Sequence, residues 1–462
     1  MKSRQQLNTK QKDFLRSLFP GDQSIFSSEE ACVYGADASR YNDFPDAVVR
    51  PQSADQIREL FIWANAEMIP VIPRARGTNV TGACVPKGGG IVLSCLKMNA
   101  IKEVNFDDFI AIVEPGVVTA DLQKKLQSNH MYYPPDPASV KISTIGGNVA
   151  TNAGGMSAVK YGVTHDYVLG IEGITGEGEF LITGGRCHKD VVGLDLKRLL
   201  VGSEGTLAFF SNITLKLLPL PESSVVLLAG FDNLDQSMSA IQSVYKSGIL
   251  PAAIEFMDED VVYCLKKKGV LQDLHDVSSI LIIKIDGTEY SIRHELDKIE
   301  LLLKEKSAIR IEKGVSSEDQ EDLWEIRRSI QSAAFIFGPD KIAVDITVPR
   351  GGVSACINKI KSISNYYGLK IITFGHLGDG NLHVNIVYNK NEPSQVQAAD
   401  NATHDILQEV VHLRGTISGE HGIGLAKLPY IHYQLSDYAI SLMRKMKKVF
   451  DPNNILNPGK CF

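Results

Sequence analysis

The sequence predicts an α+β protein built from two or three domains. The chain has 462 residues, and single hydrophobic cores stop growing beyond about 250–300 residues. Apolar segments of strand length occur in both halves, and amphipathic helical patterns lie between them. A Leu-Pro-Leu-Pro segment at residues 218–221 separates the two halves. We therefore expect a domain boundary near residue 220.

The first half contains patterns for short, alternating helices and strands. Ser53 and Gln56 form a capping-box pattern that opens a helix, and Ile57, Leu60 and Phe61 supply the apolar side of that helix. The other expected elements are strands at residues 70–73, 91–94 and 111–114 and a helix at residues 119–128.

The second half predicts longer helices beside a sheet. Strands are expected at residues 225–231, 280–285, 370–374 and 382–387, and helices at residues 292–304, 321–334, 353–366 and 436–450. A tight glycine loop joins the last two strands, which predicts that the chain turns back on itself there. No apolar segment reaches the ~20 residues that a membrane-spanning helix needs, so no transmembrane segment is expected.

Composition and charge exclude several classes of protein. The formal net charge of −6 provides no basic surface for nucleic acid, so no partner of that kind is expected. The first residues carry Lys and Arg without an apolar core, which predicts a surface helix ending near Phe19 rather than a signal or transit peptide. The seven cysteines form no C-x-x-C pair: Cys32, Cys84, Cys95, Cys187, Cys264, Cys356 and Cys461. This pattern argues against a disulfide framework or an Fe–S cluster and is typical of a reducing compartment, so a cytoplasmic location is expected.

Glycines cluster in three segments of the first half. They lie at residues 74–82, 145–155 and 202–206, and a rigid YPPDP segment lies at residues 133–137. Glycine lets the backbone approach a ligand and direct successive N–H groups at phosphate oxygens. Ordinary turns have the same composition, so the glycines alone leave both interpretations open. Neither a G-x-G-x-x-G fingerprint nor a P-loop motif is present, so a bound dinucleotide would require another fold.

The order of these segments resembles the vanillyl-alcohol-oxidase type of FAD-binding domain. The motifs that carry the likeness are PRARGT, PPDP, GGN, NAGG and GSEGT. The likeness covers residues 48–220 and implies that the first loop encloses the FAD pyrophosphate. The residues that it assigns to FAD are Pro73, Arg74, Ala75, Arg76, Gly77, Thr78, Asn79, Gly82, Pro135, Asp136, Ser139, Thr144, Gly146, Gly147, Asn148, Asn152, Gly154, Gly155, Glu204, Gly205, Ile213 and Asn457.

The first loop departs from the commonest form of this family in two ways. Ala75 and Asn79 stand where glycine is usual, which makes the cradle tighter without adding charge. Some members bind the flavin covalently through a histidine in this loop, and this loop has none. The resemblance therefore implies non-covalent FAD, with Cys84 as the other candidate for a covalent link.

The second half contains a group of histidines accompanied by a carboxylate. His376 and His383 lie in the segment GHLGDGNLHVN, and the segment SGEHG supplies Glu420 and His421. On the second strand of the first segment, His383 and Asn385 share a face. Two imidazoles and a carboxylate form a normal ligand set for a divalent metal with open positions for a substrate. Either histidine alone would more often be structural, so it is the group that predicts a metal site.

These segments are similar to the C-terminal domain of the FAD-linked oxidases. That group contains D-lactate dehydrogenases, the glycolate oxidase D subunit and D-2-hydroxyglutarate dehydrogenase. The resemblance implies an FAD-binding domain at residues 1–220 and an α+β substrate domain with an antiparallel sheet at residues 221–420. It also implies that residues 421–462 pack back on the FAD domain and bring the C-terminus to the flavin.

The same resemblance assigns roles to single residues. They are His376, His383 and Glu420 as ligands of a metal (Zn, Fe or Mn), His421 as general base, Asn385 as a substrate contact and Arg327 as the partner of the substrate carboxylate. The split between Glu420 and His421 supposes an extended segment, on which adjacent side chains point apart. Without the resemblance, Arg327 would be interpreted as an exposed helix charge.

Together these assignments predict FAD- and metal-dependent oxidation of a small 2-hydroxy acid. Relatives that act on hydroxyglutarate carry a lysine where this chain has Ala343, so D-lactate or glycolate is favoured. Electrons are expected to leave the flavin to an electron-transfer flavoprotein, an Fe–S subunit or a quinone-linked carrier, because no nicotinamide fingerprint is present. The alternatives are a hydroxyglutarate-type dehydrogenase, a flavin oxidase or ether-lipid synthase, and a flavin-binding electron-transfer subunit. A homodimer, and attachment to a membrane through a partner, stay open.

Overall fold

The computed structural model describes residues 6–271 and 276–462. The strands are β1 Ser24–Ile25, β2 Ala47–Val49, β3 Val71–Arg74, β4 Ile91–Ser94, β5 Ile101–Asn105, β6 Ile110–Val113, β7 Met131–Tyr132, β8 Val168–Thr175, β9 Phe180–Gly184, β10 Ala208–Lys216, β11 Leu218–Pro219, β12 Ser223–Phe231, β13 Ala253–Met257, β14 Ser279–Gly287, β15 Arg310–Gly314, β16 Asp340–Thr347, β17 Lys370–His376 and β18 Asn381–Tyr388. The α-helices are α1 Thr9–Leu18, α2 Ser28–Ala31, α3 Ala54–Glu67, α4 Thr119–Gln127, α5 Ile145–Thr151, α6 Ala158–Tyr161, α7 Leu196–Leu200, α8 Leu234–Lys246, α9 Glu259–Lys267, α10 Glu289–Glu305, α11 Ser317–Arg328, α12 Ile330–Ala333, α13 Val353–Tyr367, α14 Pro393–His412, α15 Ile431–Gln434 and α16 Asp437–Phe450.

The chain forms two compact units, and each is assembled from separate stretches of sequence. The first unit consists of Met1–Gly154, Val163–Leu220 and Glu420–Phe462. The second consists of Gly155–Gly162 and Pro221–Gly419. Among the helices described, none combines the length and the apolar character that crossing a bilayer requires.

The first unit contains two main sheets. One has the strand order β1-β2-β4-β3, in which β4 is parallel to β2 and to β3. The other has the order β5-β6-β10-β8-β9 and is antiparallel. The strand predicted at residues 91–94 is confirmed as β4, and the one at residues 111–114 is confirmed as β6 with a shift of one residue.

Helix α3 begins at the predicted cap, but the capping box is only half formed. The Ser53 hydroxyl accepts from the Gln56 amide at 3.3 Å, as predicted. The Gln56 side-chain oxygen instead accepts from the amide of Gln52 at 2.8 Å. Its Nε2 donates to the carbonyl of Leu18 at the end of α1, at 2.9 Å. This tertiary contact draws the side chain away from the cap, while the apolar side of the helix is buried as predicted.

The second unit is built on one seven-stranded antiparallel sheet. Its strand order is β15-β12-β14-β13-β17-β18-β16. One face packs against α9, α11 and α12, where Leu265, Leu323 and Ile330 cover Met257 and Phe374. The helix predicted at residues 321–334 is confirmed in part, because a turn at Ser329 divides its residues between α11, which begins at Ser317, and the short α12.

The C-terminal segment belongs to the first unit and extends the edge of its four-stranded sheet. Val71 and Leu456 form a parallel bridge, and the Asn457 amide donates to the Val71 carbonyl at 2.8 Å. The ammonium of Lys447, at the end of α16, donates to the carbonyl of Thr206 at 2.6 Å and to that of Leu456 at 2.7 Å. The predicted return of the C-terminus to the glycine-rich domain is confirmed.

Candidate active site and cofactor cradle

The first glycine segment follows β3 and is shaped around a buried arginine. Arg74 is 8% exposed, and its Nη1 donates to the Cys84 sulfur at 3.2 Å. The guanidinium lies across Gly77, which has a φ of +68°. Any larger residue at position 77 would collide with Arg74 and would strain the backbone, so the loop needs glycine there.

The other glycine segments close on this first loop. A side chain at Gly147 would begin 3.3 Å from Ala75, and one at Gly205 would begin 3.2 Å from Pro73. Gly146 lies directly against Pro115, where no side chain would fit. The fold therefore brings all three glycine clusters together around β3, although they are far apart in the sequence.

The first part of the second glycine cluster forms the helix α5. Thr144 caps α5, with its hydroxyl accepting from the Gly147 amide at 3.2 Å. Asn148 is buried and donates to the Thr119 hydroxyl at 2.8 Å. Thr119 in turn donates from its amide to the Ser143 carbonyl at 2.9 Å. These contacts join the cluster to the turn that begins at Ser139.

Three residues that the resemblance assigns to FAD have distinct positions in the structure. Ile213 is in the middle of β10, with no exposed surface, between Val113 and Ile171 of the neighbouring strands. Gly155 belongs to the second unit. The side chain of Arg76 is exposed to solvent.

The side chain of Glu204 has a structural use of its own. It is 5% exposed, and its carboxylate accepts from the amides of Ile423 at 2.5 Å and Gly424 at 2.8 Å. Burial raises the pKa of this carboxyl above its ordinary value. Its backbone carbonyl accepts from the Asn457 side chain at 2.7 Å. Glu204 therefore holds the segment that follows His421 and the C-terminal segment against the glycine cradle.

Glu420 and His421 also lie beside the cradle within the first unit. The His421 carbonyl accepts from the Asn79 side chain at 2.9 Å. Asn79 departs from the family pattern, and this contact explains what its side chain does. A side chain at Gly154 would begin 3.1 Å from the Glu420 carboxylate. The His421 ring nitrogen Nε2 lies 3.4 Å from Glu420 Oε1. The expectation that these two side chains point apart is wrong, because the segment bends here rather than running extended.

The cradle contains two buried hydroxyl groups that could donate hydrogen bonds to a polar cofactor. Ser94 lies opposite Arg74 in the pairing of β3 with β4, and Ser203 lies in the third glycine segment. Among the described residues neither hydroxyl has a hydrogen-bond partner. Buried hydroxyls are normally satisfied, so these atoms and the close glycine backbone fit a ligand rich in acceptors, such as FAD.

In the second unit, the two histidines of β17 and β18 face each other. His376 Nε2 lies 3.4 Å from His383 Nε2, and the two rings meet nearly at right angles, 87°. Two nitrogens that bind one tetrahedral metal at ~2.0–2.1 Å are separated by about 3.4 Å. The pair therefore fits two ligands of a single metal ion.

A buried carboxylate that the sequence interpretation missed lies behind this pair. Glu255 has no exposed surface; its Oε1 lies 2.5 Å from His376 Nδ1, and its Oε2 accepts from Arg327 Nε at 2.5 Å. Burial would raise the pKa of Glu255, but His376 and Arg327 outweigh burial and hold the pKa at about 2. A single acidic residue within the apolar strand AIEFM was the available signal, since buried charges are normally paired.

Arg327 and Asn385 lie on the same side of the sheet. The Arg327 side chain is 11% exposed, and its guanidinium carbon lies 4.8 Å from the centre of the Phe374 ring. The interpretation of Arg327 as an exposed helix charge is therefore wrong. Asn385 is buried, and its Nδ2 has no partner among the residues described. Its cross-strand neighbour on β16 is Ala343.

Asp345 links His383 to the end of the second unit. It is the cross-strand neighbour of His383, and its Oδ1 lies 3.9 Å from His383 Nδ1. It accepts from the Asn381 side chain at 2.7 Å and from the Gly419 amide at 2.9 Å. Gly419 is the last residue of this unit, and Glu420 follows it by one peptide bond. Asp345 thus holds the last residue of the second unit beside the strand pair that carries His383.

Asp258 is a second buried carboxylate, and its environment should make the stability of the folded protein depend on pH. It accepts from the Val261 amide at 2.9 Å and from the Thr373 amide at 2.6 Å. Burial raises the pKa of Asp258 from 3.8 to about 7, so its contribution to stability is fully present below pH ~4 and is lost as the pH rises through ~7. The full shift corresponds to on the order of 4 kcal/mol. Asparagine at this position cannot ionise, so the Asp258→Asn variant should not lose this stability as the pH rises. We therefore expect its Tm to rise relative to that of the wild type between pH 4.5 and pH 8. A Tm difference that stays constant over this range would contradict the prediction.

The fold and these sites define a class of protein. A glycine-rich cradle suited to FAD in one unit and a histidine pair with a buried arginine in the other are parts that suit a flavin-dependent oxidoreductase. Comparison with known proteins supports this class. The family model described as FAD binding domain matches residues 45–184, and the one described as FAD linked oxidases, C-terminal domain, matches residues 220–461.

Relatives of known name span nearly the whole chain. The glycolate oxidase subunit GlcD of Bacillus subtilis (strain 168) is 38% identical over 93% of this chain and 92% of its own length. The D-lactate dehydrogenase of Anaerostipes hadrus is 32% identical over 95% and 92%. The D-2-hydroxyglutarate dehydrogenase of Stutzerimonas stutzeri (strain A1501) is 32% identical over 97% and 98%. The chain therefore belongs to the FAD-linked oxidase family and is an FAD-linked oxidoreductase.

Solved structures confirm the predicted fold class. p-Cresol methylhydroxylase superposes with a TM-score of 0.79 at 16% identity and covers 98% of this chain and 97% of its own. Alkyldihydroxyacetonephosphate synthase superposes with a TM-score of 0.78 at 19% identity, over 98% and 86%. At these identities the likeness concerns the fold alone.

Proposed function

We propose that this protein oxidises a small D-2-hydroxy acid, D-lactate or glycolate, to the corresponding 2-oxo acid. The observation that carries the proposal is the second unit's polar face, where His376 and His383 converge beside the buried Arg327 and Asn385. A metal site next to a guanidinium matches the hydroxyl and the carboxylate of a 2-hydroxy acid. Relatives with the names glycolate oxidase subunit and D-lactate dehydrogenase support this substrate class.

The proposed roles of the chain's residues follow from their donor atoms. His376, His383 and Glu420 hold the metal, which when bound lowers the pKa of a hydroxyl group. Arg327 binds the substrate carboxylate, and His421 takes the hydroxyl proton. The cradle residues of the first unit hold the FAD, which when bound accepts the two electrons of the oxidation.

Asn385 and its neighbours support a small substrate. Asn385 offers a buried amide group that needs a partner, and Ala343 beside it carries no charge. The nearest lysine on the same side of β16 is Lys341, and its ammonium donates to the Gln331 side chain at 2.5 Å. Among the described residues of β16, position 343 therefore supplies no cation for a second carboxylate, which favours a monocarboxylate over hydroxyglutarate.

Bleaching of the flavin by candidate substrates tests the proposed function. The purified protein is mixed anaerobically with D-lactate, L-lactate, glycolate and D-2-hydroxyglutarate, and flavin absorbance is followed. We expect rapid bleaching by D-lactate or glycolate and slow or no bleaching by the others. No bleaching by any of them would favour the alternative, a flavin-binding electron-transfer subunit, although the intact histidine group argues against that role.

The mode of FAD binding is a separate prediction. Because no histidine lies at residues 74–82, and because burial raises the pKa of the Cys84 thiol to about 11 and so suppresses its thiolate, FAD should bind without a covalent link. Acid precipitation should release the yellow colour into the supernatant. Colour that stays in the pellet would contradict this.

The electron acceptor is proposed to be a protein or a quinone-linked carrier rather than NAD. The relative from Bacillus subtilis is named as a subunit, which supports an electron-transfer flavoprotein or Fe–S partner, and we propose a cytoplasmic location. The isolated chain should reduce artificial dyes rapidly in the presence of substrate and reduce NAD negligibly. Efficient reduction of NAD without a partner would overturn this assignment.

A further inference from the structure

We propose that Glu255 is a positioning residue that couples the metal site to the binding of the substrate carboxylate. This inference rests on the proposed function, in which His376 is a metal ligand and Arg327 binds the carboxylate. Glu255 contacts both of them, each through a separate carboxylate oxygen. Its role is therefore to position these two residues.

The contact with His376 determines which ring nitrogen is available. An ionised carboxylate can only accept hydrogen bonds, so the 2.5 Å contact between Glu255 Oε1 and His376 Nδ1 requires the proton on Nδ1. The lone pair is then on Nε2, the atom that faces His383 at 3.4 Å. A carboxylate behind a histidine is a recurrent device for orienting a metal ligand.

The contact with Arg327 determines where the guanidinium points. Glu255 Oε2 takes the Nε–H of Arg327, and the Phe374 ring lies against the guanidinium plane. Among the described residues the two terminal NH₂ groups of Arg327 have no hydrogen-bond partner. These two NH₂ groups form the planar fork that matches a carboxylate. By binding Nε, Glu255 leaves both NH₂ groups of Arg327 available to the substrate carboxylate.

Burial makes this arrangement difficult to replace. Glu255 has no exposed surface, so water cannot substitute for either of its oxygens. If one partner moved, the other oxygen would remain buried with incomplete hydrogen bonding, at a considerable cost. The position of the metal ligand and that of the carboxylate binder are therefore linked through one rigid side chain.

The Glu255→Gln variant tests the proposal. Glutamine has the same shape, but its amide offers one acceptor and one donor. Its NH₂ group must therefore face one of the two partners. If it faces His376 Nδ1, that nitrogen must accept, and the ring proton moves to Nε2. If it faces Arg327 Nε, two hydrogen-bond donors oppose each other. Two quantities are measured: the Kd for Mn²⁺ and Zn²⁺ by competition with a chelator, and the Kd for pyruvate from the perturbation of the flavin spectrum.

We expect the metal affinity of Glu255→Gln to fall about 10–100-fold, with pyruvate bound more weakly and the FAD content unchanged. The matched control is Glu312→Gln, which removes a partly exposed carboxylate paired with Arg310 on β15 of the same sheet; it should behave as the wild type. Arg327→Met should weaken pyruvate binding most, and it should also lower metal affinity, though less than Glu255→Gln does, because Glu255 still contacts His376 but loses the partner of its second oxygen. Wild-type metal and pyruvate affinities in folded Glu255→Gln would overturn the proposal.

A second variant covers the case in which Glu255→Gln does not fold. Glu255→Asp keeps the charge but is one methylene shorter and cannot reach both partners, so metal or pyruvate affinity should still fall; wild-type values for both would overturn the proposal. His376→Ala is measured in parallel. If His376→Ala keeps its metal, the proposed metal site itself fails, whereas loss of metal in His376→Ala with none in the Glu255 variants refutes only the role of Glu255.

Discussion

Replacing His421 with alanine should slow anaerobic flavin reduction by about 10²–10⁴-fold, the usual contribution of a positioned general base. Metal content should stay normal. The segment is held through its backbone, since the His421 carbonyl accepts from Asn79 at 2.9 Å and from Thr81 at 3.4 Å. Loss of the imidazole alone therefore leaves the segment anchored. An ordinary histidine titrates near neutral pH, which suits the removal of a hydroxyl proton.

Stopped-flow absorbance gives the reduction rate, and metal analysis of the same sample gives the occupancy. The control is His432→Ala, which removes an exposed histidine of the same unit and should leave the rate unchanged. The 3.4 Å separation between His421 Nε2 and Glu420 Oε1 suggests an alternative, in which His421 only supports Glu420. Metal would then be lost together with rate, and the base would have to lie elsewhere.

Loss of either imidazole of the His376–His383 pair should abolish both metal binding and turnover while FAD stays bound. The reason is the division of the chain, because the residues that fit FAD are mostly in the first unit and both histidines are in the second. His376→Ala and His383→Ala remove a ligand nitrogen, and no other residue of these strands offers a replacement imidazole. Glu420→Ala, the third proposed ligand, should behave in the same way.

Flavin absorbance, metal content and turnover are measured on each of these variants. The matched control is His404→Ala on α14, a histidine of the same unit outside the proposed site. FAD lost in proportion to metal would show that the two sites are not independent. Full activity after complete removal of metal from the wild type would end the proposal of metal dependence.

The sequence by itself determined the elements and motifs whose signals are local. The helix predicted at residues 353–366 is α13, Val353–Tyr367, because a 3.6-residue apolar period is present along its length. The histidines of β17 and β18 were also recognisable as a pair from a local signal, namely their short separation in the sequence. They are seven positions apart, and a glycine loop between two strands suffices to bring them together.

Only the tertiary structure decided which distant residues meet. Glu255 is 121 positions from His376 and 72 from Arg327, and Asn79 is 342 positions from His421. Periodicity within a segment records which face is buried but not which partner covers it. The same limit explains the half-formed capping box of α3, where a contact with α1 overrides a local preference. It also explains why Glu420 and His421 converge, since the bend between them depends on contacts with the glycine cradle.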